Sequence, residues 1–348
     1  MKNYIILLIT IGLLSFSCQS DIEFEVESMP TKIVLKGVLE SDSAFKVHVS
    51  RSLPPTGKTE ASVIENANIV ILSDEGGTFP LTLVDYNEYG NNYPSLKYYK
   101  SVEGFKPKKG IQYSIEVKAE GLPSVTASFK MPLMPQGSNV KFASESFIEL
   151  ESNSELHTDP GYFLPVRLTI NDQPGENYYE LTVYEEQKAS EYIDVKGDTI
   201  REPAYFTPSQ VFSYNPLLNS YNIHDWADAD ALADIHKDGT LLFSDSFFDG
   251  ESLEVELLAK TSPRTTDMDG NLIMAISSNS FLRYHVQIRN VSKEYYTYKQ
   301  TLIQYWNTRL NDFVEPVNIY SNVNGGLGIF AGETVQTFIL EPSDPSLY

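Results

Sequence analysis

Residues 32–50 read KIVLKGVLESDSAFKVHVS, and their alternation decides the fold class. In the second half, Val47 and Val49 point to one side while Lys46, His48 and Ser50 point to the other, the period of two that belongs to a half-buried β-strand. The first half, 32–39, reads as a strand of the same kind, and the short polar stretch between them reads as a turn. The same pattern repeats in NIVILS (68–73), FPLTLV (79–84), QYSIEVKA (112–119) and SVTASFKM (124–131). Asp74-Glu75-Gly76-Gly77 joins the third and fourth strands as a hairpin turn, because glycine takes positive φ without a Cβ penalty. Many short strands with almost no helical periodicity imply an Ig-like or transthyretin-like β-sandwich over 31–135.

MPLMPQG (131–137) breaks the pattern with two prolines and a glycine, which places a domain boundary there. The second part, 136–348, is again β-rich, with strands expected at 163–171, 177–186, 239–245, 252–260, 281–290 and 334–340. In FLRYHVQIRN (281–290), Leu282, Tyr284, Val286 and Ile288 alternate with Arg283, His285, Gln287 and Arg289. SKEYYTYKQTLIQYWNTRL (292–310) differs: Tyr295, Tyr298, Leu302, Tyr305 and Trp306 recur at helical spacing. Ser292 is the N-cap and Glu294 lies in the first turn, where the helix dipole favours an acid. One amphipathic helix packed on a sheet is therefore expected. HDWADADALADIHKD (224–238) is a second helix or an exposed insertion.

The chain of 348 residues carries 41% hydrophobic and 12% aromatic residues, enough to fold rather than remain disordered. Its 26 Lys and Arg stand against 47 Asp and Glu, a net charge of −21 that repels nucleic-acid phosphate and anionic lipid. No nucleic-acid partner is expected. Lys2 followed by the apolar run Tyr4–Phe16 spans about 20 Å as a helix, short of a hydrocarbon core of about 30 Å. Residues 1–17 thus read as a signal peptide. Cys18, the one cysteine, follows directly, so no intramolecular disulfide can form.

Candidate chemistry is sparse. His224, Asp225, Asp228, Asp230, Asp234 and His236 are all competent cation ligands, yet no HExxH spacing occurs and a solvated acidic segment accounts for them. DMDGN (267–271) opens like a calcium loop and then fails: Leu272 and Ser278 stand where Gly and Glu are required. GLGIFA (326–331) matches a dinucleotide fingerprint by letter, but no βαβ unit surrounds it, and a glycine-rich turn entering the last strand explains it better. There is no GxSxG and no complete GxxxxGK[ST] phosphate loop, since Ser52 stands where Gly57-Lys58-Thr59 would need its first glycine, and the five histidines show no triad spacing. No metal, no cofactor and no catalytic residue are assigned. The tyrosine-rich stretches YNEYGNNYPSLKYY (86–99) and PAYFTPSQVFSYNPLLNSYN (203–222) read as loops, suited either to binding or to packing over a sandwich edge.

LLFSDSFFDGESLEVEL (241–257), EYYTYKQTLIQYW (294–306) and above all FVEPVNIYSNVNGGLGIFAG (313–332) together resemble a family of surface lipoproteins of unknown function from Bacteroidetes-type bacteria. Members of that family are often encoded beside TonB-dependent outer-membrane receptors. Asn322, Gly325, Gly326, Gly328 and Phe330 carry the most specific part of the likeness, read as a structural motif. The resemblance implies an N-terminal Ig-like module and a diacylglycerol on the Cys18 thiol, with cleavage after Ser17. It also implies that Gln19, Asp21 and Glu23 act as the signal that sends such lipoproteins to the outside of the outer membrane, and that 18–30 form a tether.

The expected protein is an outer-membrane surface lipoprotein, held to the membrane by its N-terminal lipid and facing the cell exterior. It would act as a binding or accessory module for an outer-membrane receptor protein or its substrate. An adhesin or structural surface protein is the alternative, with a hydrolase behind it.

Overall fold

In a computed structural model, the chain is described at residues 30–53, 62–86, 96–102, 105–144, 148–150, 161–187, 192–193, 199–200, 205–215, 218, 240–261, 265–266, 272–273, 282–308 and 314–341. It is mainly β, with one helix among those residues. The strands of the first part are β1 (Ile33–Glu40), β2 (Lys46–Arg51), β3 (Asn68–Ser73), β4 (Thr78–Tyr86), β5 (Leu96–Ser101), β6 (Gln112–Lys118) and β7 (Val125–Lys130). Then come β8 (Gly137–Phe142), β9 (Ile148–Leu150), β10 (Gly161–Asn171), β11 (Tyr178–Gln187), β12 (Tyr192–Ile193), β13 (Thr199–Ile200), β14 (Tyr205–Ser209) and β15 (Val211–Phe212). β16 (Leu241–Ser244), β17 (Ser252–Thr261), β18 (Thr265–Thr266), β19 (Leu272–Ile273), β20 (Leu282–Val291), helix α1 (Lys293–Thr308) and β21 (Leu327–Leu340) follow among the described residues.

One long sheet runs β14-β11-β20-β21-β1-β2-β5-β4-β3-β6-β7. Its N-terminal portion curls until β7 returns to the segment before β21, where Thr126 and Asn324 exchange backbone hydrogen bonds. Inside the curl lies a core of inward-facing residues, among them Leu35, Phe45, Val47, Val49, Ile71 and Phe129. The inward and outward sides of β2 are those that the alternation in KVHVSR predicts. The hairpin at 74–77 forms, with Gly76 at φ +90° and the Ser73 amide donating to the Gly77 carbonyl.

In the C-terminal half, β14, β11, β20 and the second half of β21 face a second sheet, β15-β17-β10-β8, with β9 also pairing β10. Val166, Leu168, Leu181, Val183, Val286 and Leu257 fill the space between them. β21 belongs to both halves. Leu327–Glu333 pair in parallel with Val34–Glu40 of β1, and Glu333–Leu340 pair antiparallel with Val291–Tyr284 of β20. Phe330 lies wholly inside the N-terminal core, edge-on to Phe129 with ring centroids 4.9 Å apart. The proline-rich 131–136 connection is stitched at several points. Its Leu133 carbonyl accepts from Thr334 Oγ1, its Met134 carbonyl from Gln173 and its Gln136 carbonyl from the Asn171 amide.

The structure revises three local expectations. Tyr98 and Tyr99 sit in β5, not in a loop; Tyr99 is buried, its hydroxyl donating to the Ile64 carbonyl and accepting from the Ala67 amide. Parts of 203–222 form β14, which pairs β11, and β15, which pairs β17. On α1 the buried residues are Tyr295, Tyr296, Leu302 and Ile303, while Tyr298, Tyr305 and Trp306 are only half-buried. The helix is rotated because it sits in a trough that both halves build, touching Tyr178 and Leu242 on one side and Val38, Ile329 and Ala331 on the other.

Candidate functional site

The motif residues Asn322, Gly325, Gly326, Gly328 and Phe330 converge on the seam where β21 enters the N-terminal sandwich. Gly325 has φ +79° and Gly328 φ +110°, conformations that L side chains rarely adopt. A Cβ on Gly328 would stand 1.9 Å from the Leu35 carbonyl oxygen, and one on Gly326 would stand 2.6 Å from that of Ile33. Glycine is what lets the two backbones approach. Asn322 then acts as a one-residue strand: its Oδ1 accepts from the Phe330 amide at 2.9 Å and its Nδ2 donates to the Phe330 carbonyl at 2.7 Å. The same Nδ2 reaches the Ser128 carbonyl on β7 at 3.1 Å. One amide side chain thus satisfies two buried backbone groups and ties β7 to β21.

Helix α1 covers a buried charge network on the outer face of the C-terminal sheet. Glu180 of β11, 1% exposed, accepts from the Tyr295 hydroxyl at 3.1 Å. It also lies 3.6 Å from Arg289 Nη1 of β20 and 3.5 Å from Lys299 Nζ of α1. Glu333 of β21 approaches the same Arg289 nitrogen at 3.5 Å. Arg289 reaches onward to Gln287 at 3.0 Å and to the Tyr184 hydroxyl at 3.4 Å. Burial, aided by the negative charge of Glu180 and opposed by Arg289, pushes the Glu333 carboxyl up to about 7. Burial works against the Arg289 charge, yet Glu333 and Glu180 together raise its pKa above the ordinary guanidinium value. Burial, then Glu180, holds the Tyr295 phenol far above its usual range. Tyr295 and Lys299 of the helix meet Glu180, and Arg289 joins Glu180 to Glu333, so the network fastens the helix to three strands.

Beside the start of α1 lies a solvent-open cleft of about 370 Å³ between the two halves. Its walls are the Lys130–Leu133 connection, the Pro174–Tyr178 turn and the Asn290–Glu294 corner. Ser292, buried at that corner, exchanges hydrogen bonds with the Gly332 backbone and caps the helix by accepting from the Tyr295 amide. Lys293 pairs with Glu176 at 3.0 Å on the rim, where Glu176 also accepts from the Tyr178 hydroxyl. The wall thus presents lysines, acids, a tyrosine and the exposed Leu133.

Behind the Pro174–Tyr178 turn, Asp172, Asp245 and Asp249 bring carboxylate oxygens within 4.8 Å of one another. The alternation of the strands gives no hint of this trio, since its members lie in two turns 73 residues apart in the chain (172 and 245). Each acid already has a structural task. Asp172 accepts from the Tyr179 hydroxyl and the Gly250 amide, Asp245 from the Asn177 amide and Nδ2, and Asp249 from the Gly175 amide. Burial, partly offset by Asn177 and reinforced by Asp172 and Asp249, raises the Asp245 pKa. The arrangement clamps the β10–β11 turn to the β16–β17 turn.

His285 lies on the polar face of β20 with its Nε2 2.7 Å from Glu186 of β11, and Phe206 stands edge-on to its ring. Cys18, Gln19, Asp21 and Glu23 lie outside the described residues. So do 224–238, DMDGN at 267–271 and three of the five histidines (His157, His224 and His236).

Among the described residues, a curled N-terminal sandwich, a two-sheet C-terminal sandwich, a shared strand β21 and a helix in the trough between them define the class of protein: a two-core β protein with a bracing helix. The chain belongs to the family described as a domain of unknown function, DUF4249, which matches residues 19–339. No curated protein matches the chain.

Proposed function

We propose that the protein is a lipid-anchored module of the outer-membrane surface that binds a partner and performs no chemistry of its own. The observation that carries this reading is the position of Cys18, between the apolar run Tyr4–Phe16 and the family-matched region that starts at residue 19. No described helix is long and apolar enough to cross a membrane. Acyl chains on Cys18 would supply the attachment, each buried CH₂ contributing about 0.8 kcal/mol. In this reading Gln19, Asp21 and Glu23 act as the address to the cell exterior, and 18–30 form a tether.

The partner we propose is a TonB-dependent receptor or its substrate. Two features favour binding over catalysis. The buried charges of Glu180, Arg289, Glu333 and Lys299 are consumed by one another and by the helix they hold. The 370 Å³ cleft, by contrast, is open, mixed in polarity and framed by segments of both halves. Affinity purification of the tagged protein from cells solubilised in mild detergent tests the proposal. It predicts recovery of an outer-membrane barrel in amounts comparable to the bait, and bait recovered alone would refute it.

A further inference from the structure

β1 is the first described strand after the proposed tether, and it is flanked on both sides. β2 pairs it antiparallel from Ile33 to Lys36, and β21 pairs it in parallel across seven positions, Val34↔Leu327 to Glu40↔Glu333. From Glu333 onward, β21 continues in the same direction and is locked into the C-terminal sandwich by eight pairs with β20. The N-terminal end of β1 and the C-terminal half of β21 therefore lie at opposite ends of the shared ladder. A pull on residue 30 away from the C-terminal sandwich runs along the strand axis. It loads the parallel ladder in shear, so that its evenly spaced, slanted hydrogen bonds must break together. Had the two strands been antiparallel, the same pull would open the ladder one pair at a time.

We infer that β1 and β21 form a force-bearing shear clamp that transmits load from the tether to the C-terminal sandwich. The inference rests on the proposed anchor for where force enters. Around the clamp, the ladder is reinforced where shear would start. Gly326 and Gly328 allow β21 to lie against the Ile33 and Leu35 carbonyls closer than any side chain permits. Asn322 holds both backbone groups of Phe330 from the side opposite β1 and ties them to Ser128 of β7. Phe330, wholly buried, keys β21 into the N-terminal core. The glycines let the β1–β21 ladder close, while Asn322 and Phe330 resist withdrawal of β21 from the N-terminal sandwich that holds β1. A surface protein whose partner pulls on the Pro174–Tyr178 and Asn290–Glu294 walls of the cleft while its lipid stays in the membrane needs this direction of strength.

The test is single-molecule pulling on the Cys18→Ala full chain, with DNA handles on engineered thiols at exposed positions. One molecule carries Pro30→Cys with Glu341→Cys and loads the ladder in shear. The other carries Pro30→Cys with Leu327→Cys and peels the same ladder from its first pair. Circular dichroism and the thermal midpoint of each variant establish that both are folded as the parent is. Because forced rupture reports the unfolding barrier along the pulled direction, the shear geometry is expected to rupture at clearly higher force than the peel geometry. Equal forces, or a weaker shear geometry because another part of the chain gives way first, overturn the inference. The measurement involves no membrane. Failure of the clamp therefore leaves the anchor reading untouched, and failure of the anchor is read separately by cell fractionation.

Discussion

Replacing Asn322 by Ala removes the side chain that stands in for a strand beside Phe330. The amide and carbonyl of Phe330 are left facing the position its oxygen and nitrogen occupied, at 2.9 and 2.7 Å. A buried backbone group without a partner costs about 1–3 kcal/mol, so the two together cost about 2–6 kcal/mol before relaxation. Asn322 is half-buried, and water entering from that side recovers part of the loss, which leaves about 2–4 kcal/mol. The Ser128 carbonyl adds little, because it lies nearer the surface. Asn322→Asp is the sharper control. It keeps the shape and the acceptor for the Phe330 amide, but presents a second acceptor to the Phe330 carbonyl, so it should destabilise at least as much as Ala. With two cores the chain need not unfold in a single step. The assay is therefore amide hydrogen exchange resolved to residues 327–333, alongside a urea midpoint. If Asn322→Ala stays within about 0.5 kcal/mol of the parent and the Phe330 amide exchanges no faster, the strand-mimic account is wrong.

Three further substitutions probe the seam, a hairpin that serves as its control, and the network. Gly328→Ala places a Cβ 1.9 Å from a backbone oxygen at φ +110°, whereas Gly76→Ala has positive φ and no atom within 4 Å. The first should cost about 3 kcal/mol or more and the second only the strain of about 1 kcal/mol, so equal losses in a thermal melt would refute the close-approach reading. Glu333 titrates at about 7 in the folded protein, above the ordinary glutamate value of about 4.3. The folded state therefore binds the extra proton between those values, and stability falls as pH rises through that window and levels off above it. Glu333→Gln should flatten that part of the curve and gain on the parent above pH 7; superimposable melting-temperature profiles would contradict it.

The strands of this fold are legible wherever one face meets water. β20 is the clearest case, its Arg283, His285, Gln287 and Arg289 lying on the less buried face and Tyr284, Val286 and Ile288 wholly inside. β5 escapes such reading because Lys97, Tyr98, Tyr99 and Lys100 do not alternate, and tyrosine serves equally well buried or exposed. β14 contains Pro208, which argues against a central strand and is tolerated because β14 forms one edge of the long sheet. The first half of β21 holds Gly328 and Gly332, poor strand formers on their own. Packing against β1 and Phe129 overrides propensity there, and only the tertiary contact reveals why glycine is needed. Of the candidate sites, the motif from Asn322 to Phe330 stands out in the sequence as a cluster, though its task does not. The charge network is hidden by distance along the chain, since Glu180, Arg289, Lys299 and Glu333 meet only after three strands and a helix assemble. Its one local signal is Glu180, a charged residue in the otherwise apolar and aromatic opening of β11.

The anchor itself is tested most directly by Cys18→Ala and fractionation of cells expressing the protein. With Cys18 intact the protein should sediment with the outer membrane, resist extraction by high salt and be released by detergent. The variant should lose that association and appear in the soluble fraction with its fold unchanged. Retention of the Cys18→Ala protein in the outer membrane, as firmly held as the parent, would contradict the account.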